Sequence, residues 1–401
     1  MSNESTPNRN WILALSDFKI TPIIIIMETQ GLVVLNAQLV SGAASYRSAG
    51  IHAYIVNLLR QLKFDDNLRY LALTGPGALP EGIAMPVQRT KLPTHRPLIR
   101  ILWEQTRLPW ELVRLRASLL HAPAFVGPLW APCPQILTIL DLGFLRHPEF
   151  FRRGNRTYLH LLTRLSAKRA AAIITISKFS AQEISALLGS APERIHVIYP
   201  GVEARFRPLP PAEVLRFRQE QNLPERFILY LGTLEPRKNL ITLIHAFARL
   251  RDPELHLVLA GGKGWLYEPL FAEVERLGLN DRVHFAGYVP AETQTLWYNA
   301  ATMLAYLSSY EGFGLPVVEA LACGTPVVAA NSSSLPEAAG DAALLAPPHD
   351  VEAIVASMEQ VLSDAALRES LRERGLRHAA HFNWQTVAQQ TATIYRSLVK
   401  Q

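Results

Sequence analysis

The chain has 401 residues, of which 49% are hydrophobic and 18% charged, and its formal net charge is +6. This length predicts two or three domains, and this composition excludes a disordered chain. The mild positive charge suits phosphate-bearing ligands or an anionic membrane surface. Because the basic runs carry no interleaved aromatic residues, nucleic-acid binding is not expected.

The N-terminal residues and the two cysteines bear on location. The apolar run over 20–27 is shorter than the roughly 20 residues of a membrane span and lacks the flanks of a signal peptide. Residues 1–27 are predicted to be an N-terminal extension, with Met27 as a candidate natural start. Cys133 and Cys323 have no metal-ligand spacing and imply no disulfide framework. A cytoplasmic location is therefore expected.

Short apolar runs alternate with helical patterns from residue 31 onward. The strands are predicted at "GLVVLNA", "RYLALTG", "ASLLHAPA", "QILTILD" and "AAIITISK". Helices are predicted at the amphipathic stretch "GIHAYIVNLLRQL", over 98–116 and over 180–188. Strands that are apolar throughout and alternate with helices indicate a parallel sheet with both faces covered.

The alternation stops at "VIYPGVEARFRPLPPAE", a proline-rich predicted linker, and then resumes. Later strands are predicted at "RFILYLGTL", "ELHLVLAGG", "RVHFAGYV", "ATMLAYL" and "TPVVAAN", and the last helices over 351–362, 365–378 and 384–398. We predict a first α/β domain over 28–203, a second over 204–383 and a C-terminal helix over 384–401. Ligands of parallel sheets bind at the carboxyl ends of strands, so the cleft between the two sheets is the expected site.

The stretch "YLGTLEPRKNLITLIHAF" carries two cations at a predicted helix start, Arg237 and Lys238. Free backbone N–H groups and the helix dipole already attract anions there, so two added cations favour an anionic ligand. Two solvated surface cations are an equally good interpretation of this stretch alone.

Glycine-rich turns follow several predicted strands. Gly262 lies in "AGGKG", Tyr288 and Val289 lie in "FAGYVP" with backbone groups that can face the cleft, and Gly50 precedes a helix. Glycines let a ligand approach the backbone closely. Each of these turns alone is a weak signal, and "FAGYVP" by itself is more typical of an ordinary strand-to-helix loop.

The stretch "YEGFGLPVVEALACGTPVV" places two glutamates around a glycine turn. Pro316 suits the first helical position and Gly324 suits a helix stop, which predicts a helix over 315–323. Glu311 lies in the loop before this helix and Glu319 in its second turn, so both can face one ligand. A surface acid is the alternative for Glu319.

Together these motifs resemble the retaining glycosyltransferases of family 4, which have the GT-B fold. Further marks are "GTLEPRKN", "SLPEAAGDAALL", "ITISKFSAQEI" and "VIYPGV", and the resemblance covers about residues 31–398. In character it is nearest to the mannosyltransferase B-like enzymes of polysaccharide and O-antigen assembly. It implies an α/β protein with two Rossmann-like domains facing a cleft and a C-terminal helix that crosses back to the first domain.

The resemblance implies a role for each motif residue. Lys238, with Arg237, would neutralise the donor diphosphate, Glu311 would bind hydroxyls of the donor sugar, and these three are the candidate catalytic residues. The candidate donor-binding residues are Glu319 on the ribose, and Gly50, Thr233, Gly262, Tyr288, Val289, Gly312, Phe313, Gly314 and Leu315. The candidate sugar-pocket residues are Leu140 and Asp141.

The implied activity is retaining transfer of mannose or another hexose from a nucleotide sugar, with GDP-mannose favoured, to a lipid-linked or polysaccharide acceptor. No cofactor and no metal are implied, because the cations take the place of a metal on the diphosphate. The implied location is cytoplasmic, with a peripheral contact at the inner face of the cell membrane. The basic, partly apolar segment 89–116 suits such a contact, or alternatively lines the acceptor cleft.

Two positions depart from the family pattern. Thr233 stands where Arg is frequent, and Leu140 stands where a sugar-binding His usually precedes Asp141. Leu140 leaves three interpretations open: a non-catalytic donor-binding partner, a tolerated change, or a pocket for an apolar substituent such as the methyl group of a 6-deoxy sugar. A nucleotide-sugar epimerase working in the same cleft is a further alternative.

Overall fold

The computed structural model of the chain describes residues 30–40, 49–63, 65, 67–147 and 153–399. The N-terminal extension expected over 1–27 lies outside these residues. Within them the chain forms two parallel sheets in succession, each covered by helices. None of the helices in this described part is long and apolar enough to cross a membrane.

The first sheet lies in the N-terminal half. Its seven strands within the described residues are β1 Gly31–Ala37, β2 Leu68–Thr74, β3 Val87–Arg89, β4 Leu119–Ala122, β5 Gln135–Thr138, β6 Ala172–Thr175 and β7 Ile195–Val197. Their spatial order is β3-β2-β1-β4-β5-β6-β7, and every pair is parallel. The central strands β4, β5 and β6 are fully buried, which is why their sequences are nearly all apolar. The edge strands β3 and β7 are partly exposed and carry no apolar run, so the sequence did not predict them.

The helices of the first half cover this sheet. They are α1 Ala49–Gln61, α2 Pro97–Leu102, α3 Leu108–Arg114, α4 Gly143–Arg146, α5 Arg153–Arg169 and α6 Lys178–Leu188. A π-helical turn, Trp103–Arg107, separates α2 from α3. The single regular helix predicted over 98–116 is therefore wrong in its middle. Pro109 has no N–H for the α-helical ladder, which accounts for the interruption.

The second sheet repeats the arrangement. Its six strands within the described residues are β8 Arg226–Leu231, β9 Leu255–Ala260, β10 Val283–Gly287, β11 Met303–Tyr306, β12 Val327–Ala330 and β13 Leu344–Ala346, in the spatial order β10-β9-β8-β11-β12-β13. Its helices are α7 Pro211–Glu220, α8 Leu240–Arg249, α9 Glu268–Arg276, α10 Gln294–Ala300, α11 Leu315–Ala322 and α12 Leu335–Ala339. The helix predicted over 315–323, which carries Glu319, is thus confirmed as α11.

The chain ends in three helices, α13 Val351–Ser363, α14 Ala365–Ala379 and α15 Trp384–Val399. Helix α15 returns to the first domain, as expected. The Trp384 ring packs edge-on against Tyr54 of α1 with centroids 5.7 Å apart. The Tyr395 hydroxyl lies 2.5 Å from Nδ1 of the buried His121 in β4. These contacts fix the last helix on the first sheet and confirm the crossing back.

The strand orders place a crevice at the carboxyl end of each sheet. In both sheets the order reverses next to the first strand, between β1 and β4 and between β8 and β11. Such a switch point opens a crevice outside the carboxyl ends of the strands. The loop after β5 touches the loop after β11, because the Tyr310 hydroxyl accepts a hydrogen bond of 3.0 Å from the Leu142 N–H. The two carboxyl ends therefore meet across a cleft.

Candidate functional site

Three charged side chains form a triad at the carboxyl ends of β8 and β11. Arg237 and Lys238 close a 3₁₀ turn after β8, and Glu311 lies in the loop after β11. Lys238 Nζ donates to Glu311 Oε1 at 2.5 Å and to the Tyr306 hydroxyl at 2.7 Å. Arg237 donates to Glu311 Oε2 at 2.9 Å. Lys238 is only 6% exposed, so the solvated-cation interpretation is wrong for it.

The charges of the triad are compensated within the protein once Glu235 is included. Burial raises the pKa of Glu311, but Arg237 and Lys238 outweigh it and lower that pKa to about 2. Burial and the neighbouring Arg237 lower the pKa of Lys238. Arg237 makes a second ion pair, 2.7 Å, with Glu235. Glu311, expected on sugar hydroxyls, thus has both oxygens engaged by the cations, so its first role here is to hold the buried Lys238 and the partly exposed Arg237 in place.

The glycine turn after Glu311 lies against the first domain. A Cβ atom at Gly312 would be 2.8 Å from the Leu140 carbonyl oxygen and 2.9 Å from Asp141 Cβ. Gly314 has a φ of 107°, which favours glycine, and directly precedes α11. Burial raises the pKa of Asp141, against the opposing effect of Arg237. The structure therefore brings the predicted sugar-pocket residues and the glycine turn together.

Phe313 and Leu315 contribute to this turn in different ways. The Phe313 ring is buried and packs against Tyr199 and Phe382, with centroids 5.6 and 5.5 Å away. Its side chain therefore serves packing, and its backbone is what remains for a ligand. Leu315 is half-buried and is the first residue of α11.

Glu319 lies on α11 and is half-buried, not a free surface acid. Its Oε2 accepts a hydrogen bond of 2.8 Å from the Tyr298 hydroxyl. Burial raises the pKa of Glu319 to about 7, although the Tyr298 hydrogen bond opposes it. A carboxyl group in this state can accept from, or donate to, vicinal hydroxyl groups near neutral pH.

The other predicted donor-binding residues lie in loops after β8, β9 and β10. The Thr233 carbonyl accepts from the Tyr230 hydroxyl at 2.8 Å, and the Gly262 carbonyl accepts from the Leu234 N–H at 3.0 Å. Val289 is buried and Tyr288 is 66% exposed. A Cβ atom at Gly50 would meet nothing within 4 Å in the part of the chain that the structure describes. Among the described residues, no hydrogen bond or ring contact links Gly50 or Tyr288 to the triad.

Comparison with known proteins identifies the family. Residues 48–206 match the family described as Glycosyltransferase Family 4, and residues 212–378 match Glycosyl transferases group 1. The chain is 33% identical over 374 residues to O-antigen chain mannosyltransferase B of Escherichia coli. This match covers 88% of this chain and 97% of that relative. The chain belongs to the group 1, family 4 glycosyltransferases.

Two further similarities place this glycosyltransferase among its relatives. It is 34% identical over 241 residues to the MMP alpha-(1->4)-mannosyltransferase of Mycolicibacterium hassiacum, a match that covers 58% of this chain and 56% of that one. Its fold matches the crystal structure of Anabaena Alr3699/HepE in complex with UDP and glucose. That match has a TM-score of 0.71 at 21% identity and covers 92% of this chain and 100% of the other. The two-domain GT-B fold is thereby confirmed.

Within the glycosyltransferase, sequence reasoning missed a polar cluster that joins the two domains beside the triad. The Tyr310 hydroxyl donates to Glu183 Oε2 at 2.5 Å, and Arg146 Nε donates to Glu183 Oε1 at 2.5 Å. The Ser180 hydroxyl donates to the Leu140 carbonyl at 3.1 Å. The position of Tyr310 directly before Glu311 was the sequence signal that could have identified it. Glu183 is a mid-helix acid with no pattern around it.

A second missed contact caps a helix from the opposite domain. Glu337 of α12 accepts hydrogen bonds of 2.8 Å from the backbone N–H groups of both Lys178 and Phe179, at the start of α6. Its Oε2 also accepts from the Tyr199 hydroxyl at 2.9 Å. Free N–H groups and the dipole at a helix start favour a carboxylate. Glu337 therefore fixes the second domain on the first.

Replacing Glu319 by glutamine should raise the free energy of unfolding of the ligand-free enzyme by about 1–3 kcal/mol at about pH 8. The folded-state pKa is raised from 4.5 to about 7, so the folded protein loses stability as pH rises through this window. Because glutamine does not ionise, the stability of the variant should not fall as pH rises through this window. Below about pH 4.5 the two proteins should unfold alike, because the acid is then protonated in both states. Thermal unfolding across this pH range measures the difference, and a pH-independent difference would contradict the raised pKa.

Replacing Glu337 by alanine should lower the free energy of unfolding by about 1–3 kcal/mol, because three donors lose a charged partner. The domains should also separate, which small-angle X-ray scattering would record as an increased radius of gyration. Glu359→Ala, which removes an exposed acid of α13, is the matched control and should change neither quantity. Unchanged stability and scattering for the Glu337 variant would rule out the interdomain role.

Proposed function

We propose that this glycosyltransferase transfers a mannosyl residue, with retention of configuration, from GDP-mannose to a lipid-linked or polysaccharide acceptor. The observation that carries the proposal is the hydrogen-bonded triad of Arg237, Lys238 and Glu311 beside the glycine turn at the cleft. The name of the Escherichia coli relative, an O-antigen chain mannosyltransferase, supports mannose and a glycan acceptor.

The charges of the cleft match the charge that the reaction develops. Breaking a glycosyl phosphate bond leaves positive charge on the sugar and negative charge on the diphosphate. Lys238 and Arg237 are preorganised to stabilise the diphosphate, and so are the backbone N–H groups at the start of α11. Because these groups supply the positive charge, the proposed reaction needs no divalent metal. Within the described residues, no group of three or more His, Cys, Asp or Glu side chains is arranged to hold a metal ion.

In this proposal the acceptor hydroxyl attacks the anomeric carbon of the donor sugar from the same face that the leaving diphosphate departs from. The configuration is therefore retained. The departing phosphate oxygen takes the proton of the acceptor hydroxyl, and the new glycosidic bond forms as the old one breaks. This route has no need of the two close carboxylates of a retaining glycosidase. It agrees with Glu311, whose oxygens are both held by cations and Tyr306.

The donor nucleotide is assigned to the second domain. Glu319 would hold the ribose hydroxyls, and the backbone of Tyr288 and Val289 would hold the base. Gly50 would admit the diphosphate from the first domain, since it leaves open space where a Cβ atom would stand. Support for a nucleotide donor comes from Anabaena HepE, a protein of the same fold whose structures contain UDP and UDP-glucose.

A thermal-shift screen tests the donor. GDP-mannose should stabilise the enzyme selectively over UDP-, ADP- and TDP-sugars, by about 2.7 kcal/mol when present at roughly 100 times its Kd. A 6-deoxy GDP sugar belongs in the screen because Leu140, 7% exposed, stands where a polar sugar contact is usual. Greater stabilisation by the 6-deoxy donor than by GDP-mannose would assign Leu140 to a sugar methyl group, and selective stabilisation by UDP sugars would overturn GDP-mannose.

The proposed place of action is the cytoplasmic side of the cell membrane, through a peripheral contact. Leu98, Leu102 and Val113 are 76%, 64% and 54% exposed on the segment that carries α2 and α3. Arg96 and Arg100 accompany them, and basic residues next to exposed leucines favour an anionic bilayer. Flotation with phosphatidylglycerol vesicles tests this contact. Leu98→Asp with Leu102→Asp should abolish it, and unchanged flotation of that variant would refute it.

A further inference from the structure

A cavity of about 580 Å³ opens in the first domain at the carboxyl ends of β1, β2 and β3. We call it the Trp110 pocket. Its lining includes Gln38, Arg89, Lys91, Arg107, Trp110 and Arg114. Because β5 of the same sheet carries Leu140 and Asp141 at its carboxyl end, the pocket lies on the edge of the sheet that faces the cleft. None of its residues belongs to the donor site described above.

The pocket carries an excess of positive charge. Arg107 and Arg114 both pair with Glu111, each with a nitrogen-oxygen distance of 2.8 Å, so that one carboxylate serves two guanidinium groups. Arg89 and Lys91 also line the cavity and are exposed, and no ion pair holds either of them among the described residues. A cluster of this composition, partly shielded from solvent by the pocket walls, attracts anions. Arginine in particular suits phosphate oxygens.

An aromatic surface stands beside these cations. Trp110 is 50% exposed, and the Arg107 guanidinium carbon lies 4.0 Å from the centroid of its ring. The arginine thereby fixes the orientation of the ring. An exposed, fixed indole offers a flat apolar surface with a polar edge, which suits the C–H face of a pyranose ring.

The pocket wall also contains a buried polar side chain without a partner. Gln38 is 2% exposed and lines the cavity, yet neither its amide nitrogen nor its amide oxygen has a hydrogen-bond partner in the described structure. A buried unsatisfied polar group costs about 1–3 kcal/mol, and a bound hydroxyl group would relieve this cost. The amide can both donate and accept, as a sugar hydroxyl requires.

The backbone at the pocket is irregular as well. The π-helical turn Trp103–Arg107 begins and ends with residues that line the cavity. Turns of this kind inside helices occur frequently at functional sites. This one separates Trp103, which is buried below the cavity, from the α3 residues Trp110 and Arg114.

We infer that the Trp110 pocket binds a phosphorylated sugar of the acceptor. Arg89, Lys91 and the two arginines paired with Glu111 hold the phosphate, the Trp110 ring carries the sugar, and Gln38 binds a hydroxyl group. The inference rests on the proposed function, because it identifies the acceptor as a glycan with a phosphoester close to the sugar that the pocket holds. A donor and an acceptor then occupy separate sites in different domains.

Calorimetric titration of the full-length enzyme tests this with two probes, octyl α-mannosyl phosphate and the uncharged octyl α-mannoside. The wild-type enzyme should bind the phosphate at least about tenfold more tightly, since charge-assisted hydrogen bonds are worth more than neutral ones. The double variant Arg89→Glu with Lys91→Glu should remove this preference. Trp110→Ala should weaken both probes. Arg169→Glu, a charge reversal on α5, is the matched control and should bind both probes as the wild type does.

A second arm separates this inference from the donor proposal and from the membrane. Lys238→Ala should keep the preference for the phosphate probe, and the pocket variants should keep their stabilisation by the nucleotide. Equal affinity of the wild type for the two probes would overturn the inference, as would loss of the preference in Lys238→Ala. If the pocket variants lose flotation with phosphatidylglycerol vesicles but keep the probe preference, the cations belong to a lipid surface and the inference is overturned. Failure of every nucleotide to bind would affect only the donor proposal.

Discussion

Replacing Lys238 by alanine should lower kcat/KM for glycosyl transfer by about 10²–10³-fold, the usual effect of removing one preorganised group from a developing anion. Lys238 Nζ is the buried cation at the start of α8, and Tyr306 and Glu311 hold it in place. Its charge is therefore available to the diphosphate without reorganisation. Steady-state rates with saturating acceptor measure the change.

A matched cation separates this effect from a general loss of positive charge. Arg249 lies at the other end of α8, is half-exposed and pairs with Glu352. Arg249→Ala should leave kcat/KM within about twofold, since exposed ion pairs contribute little. If Lys238→Ala folds normally and transfers sugar as fast as Arg249→Ala, the diphosphate is not stabilised at the triad.

Replacing Glu311 by glutamine should lower the free energy of unfolding by about 3–5 kcal/mol at neutral pH, because it leaves the buried Lys238 without its carboxylate partner. The pKa of Glu311 falls from 4.5 to about 2 on folding. An acid with a lowered pKa stabilises the folded state above its unfolded pKa and loses this effect as pH falls through the folded one. The difference between wild type and variant should therefore be full above about pH 4.5 and shrink toward about pH 2. Denaturant unfolding at a series of pH values measures it.

A double variant tests whether the loss comes from unpaired charge. Lys238→Met removes one cation with a side chain of similar length, and the pair Glu311→Gln with Lys238→Met should be more stable than Glu311→Gln alone. Both variants should have little activity, so stability and catalysis are separated. Additive losses of stability in the double variant would show that Glu311 and Lys238 do not interact.

Local patterns predicted the parts of the fold that local chemistry specifies. The buried strands carry continuous apolar runs, and α11 is bounded by Pro316 and Gly324, so both were visible in the sequence. The candidate site was visible for the same reason. Arg237, Lys238 and Glu311 lie directly after strands, and parallel sheets bring the carboxyl ends of strands together.

Contacts between the domains were not visible, because they depend on how two surfaces meet. Nothing in the neighbourhood of Glu183 or Glu337 indicates that one binds Tyr310 and the other caps α6. No sequence pattern indicated that both carboxylate oxygens of Glu311 accept hydrogen bonds from Arg237 and Lys238. That arrangement needs Lys238 to be buried, and burial is a property of the assembled fold. The π-helical turn is a different case, because its cause, the missing N–H of Pro109, is local, whereas the apolar pattern over 98–116 indicates only a helix.

The proposed transfer of mannose with retention can be read from the stereochemistry of the product. The enzyme is incubated with ¹³C-labelled GDP-mannose and, as acceptors, octyl α-mannosyl phosphate or octyl α-mannoside. NMR then measures the C–H coupling at the anomeric carbon of the product. We predict an α-linked mannosyl product whose formation requires the acceptor and is lost in Lys238→Ala. A β-linked product would contradict retention. An epimerised nucleotide sugar formed without acceptor, or donor binding without any product, would contradict glycosyl transfer by this cleft.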